Sequence, residues 1–261
     1  MKVIIFGGTT EGRRLSGLLS ESGASVTVCV ATEYGSEEQK RIPGVSVRTG
    51  VLSPEEKQLL LQDAAVCVDA THPYATHITE SVRMACSVAG VPYLRLRRQP
   101  SEIGETRCFR TAAEAAAWLS GQEGNILLTT GTKDMQAFAE IEKERLFPRI
   151  LPSHQGLKAC EALGIPHRNI IAMQGPFSEE MNIATIRQYN IRFLITKDGG
   201  SPGGYPEKTA AACKTGTELI LIQRPEDAGA DFETVYEMCM TLMKCSNNKM
   251  VQKNREEGKE T

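Results

Sequence analysis

The sequence lacks several features that would define whole classes of protein. Its apolar runs fall well short of the roughly 18 residues that a membrane-spanning helix needs. Met1 is followed by K-V-I-I-F and glycines rather than by the apolar region of a signal peptide. The 30 basic and 32 acidic residues nearly balance, whereas a dedicated nucleic-acid binder usually carries a basic domain. These absences predict a cytoplasmic protein without a membrane or nucleic-acid partner.

The sequence also has no paired cysteines of the kind that bind zinc or iron–sulfur clusters. Its eight cysteines are scattered and form no C-x-x-C motif, so we expect reduced structural thiols and no metal site. The length of 261 residues is enough for one or two domains.

Short apolar runs alternate with helical patterns along the chain, which predicts an α/β fold with parallel sheets covered on both faces. The strands predicted first are Lys2–Phe6, Ser25–Val30, Val45–Arg48, Val66–Asp69 and Tyr93–Leu96. The polar segment Arg97–Glu105 then marks a domain boundary. We expect two Rossmann-like doubly wound domains with a cleft between them. Residues 1–98 form a nucleotide-binding sheet of order 3-2-1-4-5, residues 106–245 form the second domain, and residues 246–261 are a disordered tail.

The first predicted strand ends in a glycine-rich turn that leads into a helix. Glycines let the backbone approach a ligand closely, and the free N–H groups of a helix N-terminus attract an anion such as a phosphate. The turn therefore predicts a cofactor site made of Gly7, Gly8, Thr9, Thr10 and Glu11. Thr9 stands where the dinucleotide motif G-x-G-x-x-G has its second glycine, so a plain tight turn is the alternative interpretation.

The fourth predicted strand ends in D-A-T-H-P-Y-A at residues 69–75. Strands one and four are neighbours at the switch point of the predicted sheet, and ligands bind outside their carboxyl ends. Thr71 and His72 are therefore expected opposite the glycine turn, in the cofactor site. His72 is the one candidate for a catalytic acid, although a structural role is commoner for a single histidine. No catalytic residue is assigned beyond that candidate.

Two strand ends in the second half of the chain carry similar loops. T-T-G-T-K at residues 129–133 repeats the glycine turn, which adds Gly131 and Thr132 to the cofactor-binding residues. The loop after the strand at 192–196 is dense in glycine, and its predicted ligand-binding residues are Lys197, Asp198, Gly199, Gly200 and Lys208. A solvated linker is the alternative for this loop.

Together these motifs resemble the precorrin-6A and cobalt-precorrin-6A reductases of cobalamin biosynthesis. The resemblance spans about residues 1–243. It rests on G-G-T-T-E at 7–11, D-A-T-H-P-Y-A at 69–75, T-T-G-T-K at 129–133, R-I-L-P at 149–152, Q-G-P-F-S at 174–178 and T-K-D-G-G-S-P-G-G-Y-P-E-K at 196–208. The sequence departs from the family pattern at Gly12 and Gly199, where the family often has alanine and serine.

The resemblance implies hydride transfer from NADH or NADPH to one double bond of a corrin precursor, without a metal or flavin. The substrate would be a polycarboxylate tetrapyrrole, with or without cobalt, and the partners would include other enzymes of cobalamin biosynthesis. Two other interpretations stay open. One is another nicotinamide-dependent Rossmann oxidoreductase or epimerase, although no tyrosine has a lysine four residues on, as short-chain dehydrogenases usually do. The other is a non-catalytic carrier of nucleotide or macrocycle.

The choice between NADH and NADPH depends on the end of the second strand. Glu33 lies where an acidic residue accepts a hydrogen bond from the adenosine ribose and repels a 2′-phosphate. This position favours NADH. Arg13 and Arg14 follow the glycine turn and are the residues that would favour NADPH if they reached a 2′-phosphate.

Arginines are dense around the predicted domain boundary. Residues 91–110 hold five arginines against two glutamates, and Arg95 and Arg97 alternate with leucines, so both are expected on one face of the fifth strand. Because guanidinium groups bind carboxylates in a bidentate geometry, both are assigned to binding of the polycarboxylate substrate, together with the loop residues from Lys197 to Lys208 named above. The alternative is that the arginines form ion pairs with acidic residues of the other domain and only hold the hinge.

Overall fold

The computed structural model describes residues 1–98, 106–199, 203–225 and 227–243. These residues form two compact units. The first is made of residues 1–98 and 227–243, and the second of the described residues between 106 and 225. Each unit contains a parallel sheet, so the predicted α/β fold with two parallel sheets is confirmed. Gly200 and the predicted tail at 246–261 lie outside the described residues.

The first unit is built on a five-stranded parallel sheet of order β3-β2-β1-β4-β5, as the sequence predicts. Its strands are β1 (Lys2–Phe6), β2 (Ser25–Val30), β3 (Val45–Thr49), β4 (Val66–Asp69) and β5 (Tyr93–Arg95). Its helices are α1 (Thr10–Glu21), α2 (Glu33–Lys40), α3 (Pro54–Leu61) and α4 (Thr76–Ala89), together with a helix at residues 232–243.

Both faces of this sheet are buried, which explains the continuous apolar strands. Successive side chains of a strand point to opposite faces. Val3 and Ile5 pack with Leu15 and Leu19 of α1, whereas the alternate residues of β1 pack with side chains from α3 and α4. This packing fixes the central strand β1, so the turn at its carboxyl end follows a rigid element.

Helix 232–243 corrects the predicted domain limits, because it belongs to the first unit and not to a second domain ending at residue 245. Val235, Cys239 and Met243 are buried in the same cluster as Val3 and Ile5. The segment before it also joins the first unit, since Leu96 forms a parallel bridge with Ala230. The amphipathic pattern of a helix predicts that it packs on a sheet, but it does not predict which of the two sheets.

Helix α2 has no hydrophobic pattern that would predict it, since residues 33–40 are helical without an apolar stripe. Polar contacts replace that stripe. The Thr32 hydroxyl caps the helix by accepting the Gly35 N–H at 3.1 Å. The buried Gln39 side chain donates to Ser16 Oγ at 2.7 Å. The helix is therefore held to α1 by hydrogen bonds that hydrophobic periodicity does not detect.

The second unit contains a parallel sheet of order β6-β11-β10-β7-β8-β9. Its strands are β6 (Arg107–Phe109), β7 (Asn125–Leu128), β8 (Leu146–Ile150), β9 (Ile171–Ala172), β10 (Ile191–Lys197) and β11 (Glu218–Ile222). Its α-helices are α5 (Ala112–Ser120), α6 (His154–Ala162), α7 (Glu179–Gln188) and α8 (Tyr205–Thr215), and three 3₁₀ helices cover Thr132–Phe138, Lys143–Arg145 and His167–Asn169.

One face of the second sheet is covered by α7 and α8. Phe147 of β8 and Leu194 of β10 are buried in one cluster with Ile186 of α7 and Ala211 of α8. This packing holds the N-terminal turn of α8, which follows the loop after β10, against the sheet. Among the residues that the structure describes, no helix combines the length and apolar character needed to cross a bilayer.

Candidate functional site

The glycine turn lies between β1 and α1, at the carboxyl end of the central strand of the first unit. A Cβ atom at Gly7 would lie 2.8 Å from Val28 Cγ1, so this position has no room for a side chain. Gly8 has φ of +126°, a conformation that side-chain-bearing residues rarely adopt, and open space where a Cβ would be. The turn is therefore built for glycine, and its backbone is accessible next to Gly8.

Thr9 connects this turn to the end of β4. Its hydroxyl accepts the Gly12 N–H at 3.1 Å as the N-cap of α1 and donates to the Ala70 carbonyl at 2.9 Å. A Cβ at Gly12 would lie 2.8 Å from Ala70 Cβ, so the helix packs closely on the strand end. The first N–H groups of a helix have no partner within it, and here they lie beside the switch point of the sheet.

Glu11, predicted to bind cofactor, forms a bidentate ion pair with Arg98. Arg98 Nε donates to Glu11 Oε1 at 2.9 Å and a terminal nitrogen donates to Oε2 at 2.7 Å. Burial opposes the charge of Glu11, but the hydrogen bonds and charge of Arg98 outweigh it, so the pKa of Glu11 is lowered. Arg98 thus neutralises an acidic side chain in the first turn of α1, where a phosphate would otherwise be repelled.

Arg95 needs a correction, because its side chain is 9% exposed and belongs to a buried network of ion pairs. It donates to Asp69 Oδ1 at 2.9 Å and, through Nε and the other terminal nitrogen, to Asp227 Oδ2 at 3.0 and 2.9 Å. It also reaches the Thr71 carbonyl at 3.1 Å. Each of its nitrogens is bonded within the first unit, so we remove Arg95 from the expected substrate contacts.

The same network fixes Thr71. Its N–H and hydroxyl both bond to Asp69 Oδ1, at 3.0 and 2.7 Å, and Tyr93 donates to Asp69 Oδ2 at 2.9 Å. Burial and the Asp69 charge raise the pKa of Tyr93, so it stays a donor. Thr71 therefore holds the loop after β4 in place, whereas His72 is exposed and its Nδ1 accepts the Tyr74 N–H at 3.4 Å.

Arg97 is exposed, in contrast to its neighbours Arg95 and Arg98. Its backbone N–H donates to the Ala230 carbonyl at 2.7 Å. The alternation of the sequence correctly separates Arg97 from the buried Leu96, but it does not distinguish an exposed arginine from one in a buried ion pair. Arg97 keeps its predicted role in substrate binding.

The residues that bear on cofactor choice lie just after β2 and in α1. Glu33 is exposed in the first turn of α2. Arg13 lies 3.4 Å from Glu38 and donates to the Thr10 hydroxyl at 3.2 Å, and the Arg14 guanidinium lies 4.3 Å from the centroid of the Phe232 ring. Both arginines that could favour a 2′-phosphate therefore already have partners in the first unit.

In the second unit, the loops after β7 and β10 carry the remaining predicted residues. Gly131 has φ of +81° and precedes the 3₁₀ helix that begins at Thr132. Lys197 forms an ion pair with Asp134 at 2.5 Å. Their predicted roles in cofactor and substrate binding stay predictions.

Asp198 needs a correction as well. It is 3% exposed and its carboxylate forms an ion pair with Arg224, with contacts of 2.9 and 3.0 Å. A buried carboxylate paired in this way holds its residue to the segment after β11. A Cβ at the neighbouring Gly199 would lie 3.2 Å from the Gly203 Cα. Because both oxygens of its carboxylate are engaged by Arg224, Asp198 is removed from the substrate contacts.

Lys208 is buried in α8, where its ammonium donates to the Gly203 carbonyl at 2.7 Å. Burial and the charge of Arg149 lower the pKa of Lys208 to about 8, against a smaller opposite effect of Glu207. Sequence reasoning did not assign Arg98 or Arg149 a role. The available signal for Arg149 was a charged residue inside the otherwise apolar strand L-F-P-R-I.

The parallel sheet order and the glycine turn at its switch point define the Rossmann class of α/β proteins. A family model described as "Precorrin-6x reductase CbiJ/CobK" matches residues 2–242. The chain belongs to this family, as the motifs predicted.

Individual relatives agree with the family match. The chain is 37% identical over 233 residues to a cobalt-precorrin-6A reductase of Methanothermobacter thermautotrophicus, covering 87% of this chain and 77% of the relative. It is 33% identical over 242 residues to that of Priestia megaterium, covering 90% and 93%. A solved structure named CobK precorrin-6A reductase has a TM-score of 0.74 at 22% identity, covering 93% of this chain and 97% of that one, which supports the fold.

Proposed function

We propose that this chain is a reductase that saturates one double bond of cobalt-precorrin-6A, or of cobalt-free precorrin-6A, with a reduced nicotinamide cofactor. Relatives that match most of the chain carry those names. The observation that carries the proposal is the turn at Gly7 and Gly8, where a glycine-specific backbone meets a capped helix N-terminus at the switch point of a parallel sheet.

The residues of this turn fit the diphosphate of a dinucleotide. Gly8 offers accessible backbone, and the N–H groups at the start of α1 suit an anion. The one acidic side chain of the first helical turn, Glu11, is paired with Arg98, so its charge is compensated before a ligand arrives. When bound, the reduced nicotinamide supplies the hydride.

The chain's own tasks are then to position the two reactants and to exclude competing water. The Asp69 network holds the loop after β4 rigidly, and this loop presents His72 at the surface. Reduction of a double bond by hydride also consumes one proton. His72 is the candidate donor for it, with water as the alternative source.

The direct test mixes purified protein, cobalt-precorrin-6A and reduced cofactor. We expect cofactor absorbance to fall in proportion to the macrocycle consumed and mass spectrometry to show a product heavier by two hydrogens. Binding of both ligands without oxidation of the cofactor would contradict a reductase and favour the carrier interpretation.

We expect NADH to be the preferred cofactor, with kcat/KM at least about tenfold above that for NADPH, a difference of about 1.4 kcal/mol. Glu33 would accept the ribose hydroxyl and repel a 2′-phosphate, and Arg13 and Arg14 have other partners. Steady-state kinetics with each cofactor measure the preference, and Glu33→Gln should reduce it. A preference for NADPH in the unmodified protein would overturn this assignment.

A further inference from the structure

A groove on the first unit lies between α3 and α4 and shares no residue with the glycine turn or with the loop after β4. Its volume is about 390 Å³, and its lining residues are Glu55, Gln58, Leu59, Gln62, Val88 and Ala89. We propose that this α3–α4 groove binds residues 249–255 of the same chain, K-M-V-Q-K-N-R. The proposal concerns an interaction surface and does not depend on the reductase function.

The groove has an apolar lining that the core does not use. Leu59 and Val88 are 71% and 70% exposed, and Met84, one helical turn before Val88, is 70% exposed. The other sides of the two helices already pack on the sheet, where Leu60 and Val82 are buried. Single exposed apolar residues are ordinary, but a group of them on neighbouring helices marks an interaction surface. The groove therefore suits an occupant with apolar side chains.

The exposed charges around the groove are mostly negative. Within α3 and α4, both of which the structure describes completely, Arg83 is the one exposed arginine or lysine. The exposed carboxylates of these helices and of the residues just after α3 are Glu55, Glu56, Asp63 and Glu80. A second copy of the chain would bring two such acidic surfaces together, and like charges that face each other oppose association. A basic occupant is favoured instead.

Residues 244–255 combine basic and apolar side chains. They contain no acidic residue, and their basic residues are Lys244, Lys249, Lys253 and Arg255. Met250 and Val251 lie next to each other in the middle of this segment. The segment can therefore pack an apolar pair on Leu59 and Val88 while its cations approach the surrounding carboxylates.

The segment also starts close enough to reach the groove. Met243, at the end of helix 232–243, is buried in the cluster on which Met1 packs. From the adjacent Lys2, the ammonium donates to the Leu60 carbonyl of α3 at 2.9 Å, so α3 passes beside the same end of the sheet. The eight residues that follow Met243 span up to about 27 Å when extended. A tether this short gives a millimolar effective concentration, so a weak contact is enough to fill the groove.

Photocrosslinking in the whole chain identifies the occupant directly. The photoreactive residue p-benzoylphenylalanine replaces Gln58 in the groove, and in the matched control it replaces Lys40, an exposed residue of α2 in the same unit. Mixing isotope-labelled and unlabelled protein separates the two kinds of link, because only links between copies join labelled to unlabelled peptides.

We expect mass spectrometry to find links from position 58 to residues 249–255 within one chain, and none from position 40 to that segment. Lys249→Gln, Lys253→Gln and Arg255→Gln together should weaken the link from position 58. Links from position 58 to a second copy, to any other segment or to nothing would overturn the proposal.

A cycle of melting temperatures tests the same contact without a probe. One variant combines Leu59→Gln with Val88→Gln, and the other combines Met250→Gln with Val251→Gln. Glutamine is a good helix former, so the first variant would lose no stability if the groove were empty. We expect each variant to melt about 2–4 °C below the unmodified protein, the shift of one modest contact in a chain of this size.

All four substitutions together should lower the melting temperature no further than either pair, because both pairs remove one shared contact. Val51→Gln is the matched control, since Val51 is 83% exposed outside the groove, and it should leave the melting temperature unchanged. An unchanged melting temperature in either pair, or decreases that add in the fourfold variant, would contradict the docking of residues 249–255.

Discussion

Replacing Arg95 with methionine is expected to lower the free energy of unfolding of the first unit by about 3–5 kcal/mol, as for other buried ion pairs that lose one partner. Asp69 is fully buried and would lose its charged partner, and Asp227 would lose both of its contacts with the guanidinium. Burial alone would lower the pKa of Arg95, but Asp69 and Asp227 raise it above its ordinary value, so the charge is held there by the carboxylates. Urea denaturation followed by circular dichroism measures the loss.

Arg97→Met is the matched control for this prediction, two residues further along the chain. Its side chain is exposed, so stability should change by less than about 0.5 kcal/mol. As an expected substrate contact, Arg97→Met should instead raise the KM for the macrocycle. Adding Asp69→Asn to Arg95→Met should recover part of the lost stability, because it removes the stranded charge. Equal stability of Arg95→Met and the unmodified protein would show that the network contributes little.

The arginines show where sequence reasoning succeeds and where it stops. Alternation with leucine correctly predicted a strand with arginines beside its carboxyl end. It could not separate Arg95 from Arg97, because a ligand contact and a buried ion pair require the same residue type. The deciding partner, Asp227, lies 132 residues further along the chain, and no local pattern connects the two.

The order of the first sheet was predictable for a physical reason. Its strands are nearly continuous runs of apolar residues, each followed by a helix, and the rules for such connections leave few sheet orders. The glycine turn was predictable from Gly7 and Gly8 in the same way. Helix α2 was not, because Thr32, Ser36 and Gln39 hold it through hydrogen bonds instead of an apolar stripe.

Asp198 and Lys208 illustrate the same limit in the second unit. The sequence marks both as polar residues of one glycine-rich loop and helix, and it gives both the same expected role. In the folded chain, Arg224 pairs with Asp198, whereas Lys208 donates to the neutral Gly203 carbonyl and its pKa is lowered by burial and by the charge of Arg149. Asp198 and Lys208 therefore differ in their electrostatic surroundings, although the sequence predicts the same role for both.

The stability of the protein without substrate is expected to rise between about pH 8 and pH 10.5 because of Lys208. Its pKa is lowered from 10.5 to about 8 in the folded chain, first by burial and then by Arg149, with Glu207 acting in the opposite direction. Between these pH values the unfolded chain binds a proton that the folded chain does not, so raising the pH favours folding. The full difference between the folded and unfolded pKa values corresponds to an upper figure of about 3 kcal/mol in the free energy of unfolding.

Lys208→Met isolates this effect. The variant should be more stable than the unmodified protein near pH 7, by less than the upper figure because the bond to the Gly203 carbonyl is also lost. That advantage should shrink steadily as the pH rises from about 8 towards 10.5, since the lysine of the unmodified protein is then neutral in the folded state and no longer charged at a cost. Lys214→Met should show no such advantage, because Glu179 raises the pKa of Lys214. Urea denaturation of all three proteins at several pH values measures these free energies of unfolding. If the difference between Lys208→Met and the unmodified protein did not change with pH, the charge on Lys208 would not destabilise the fold.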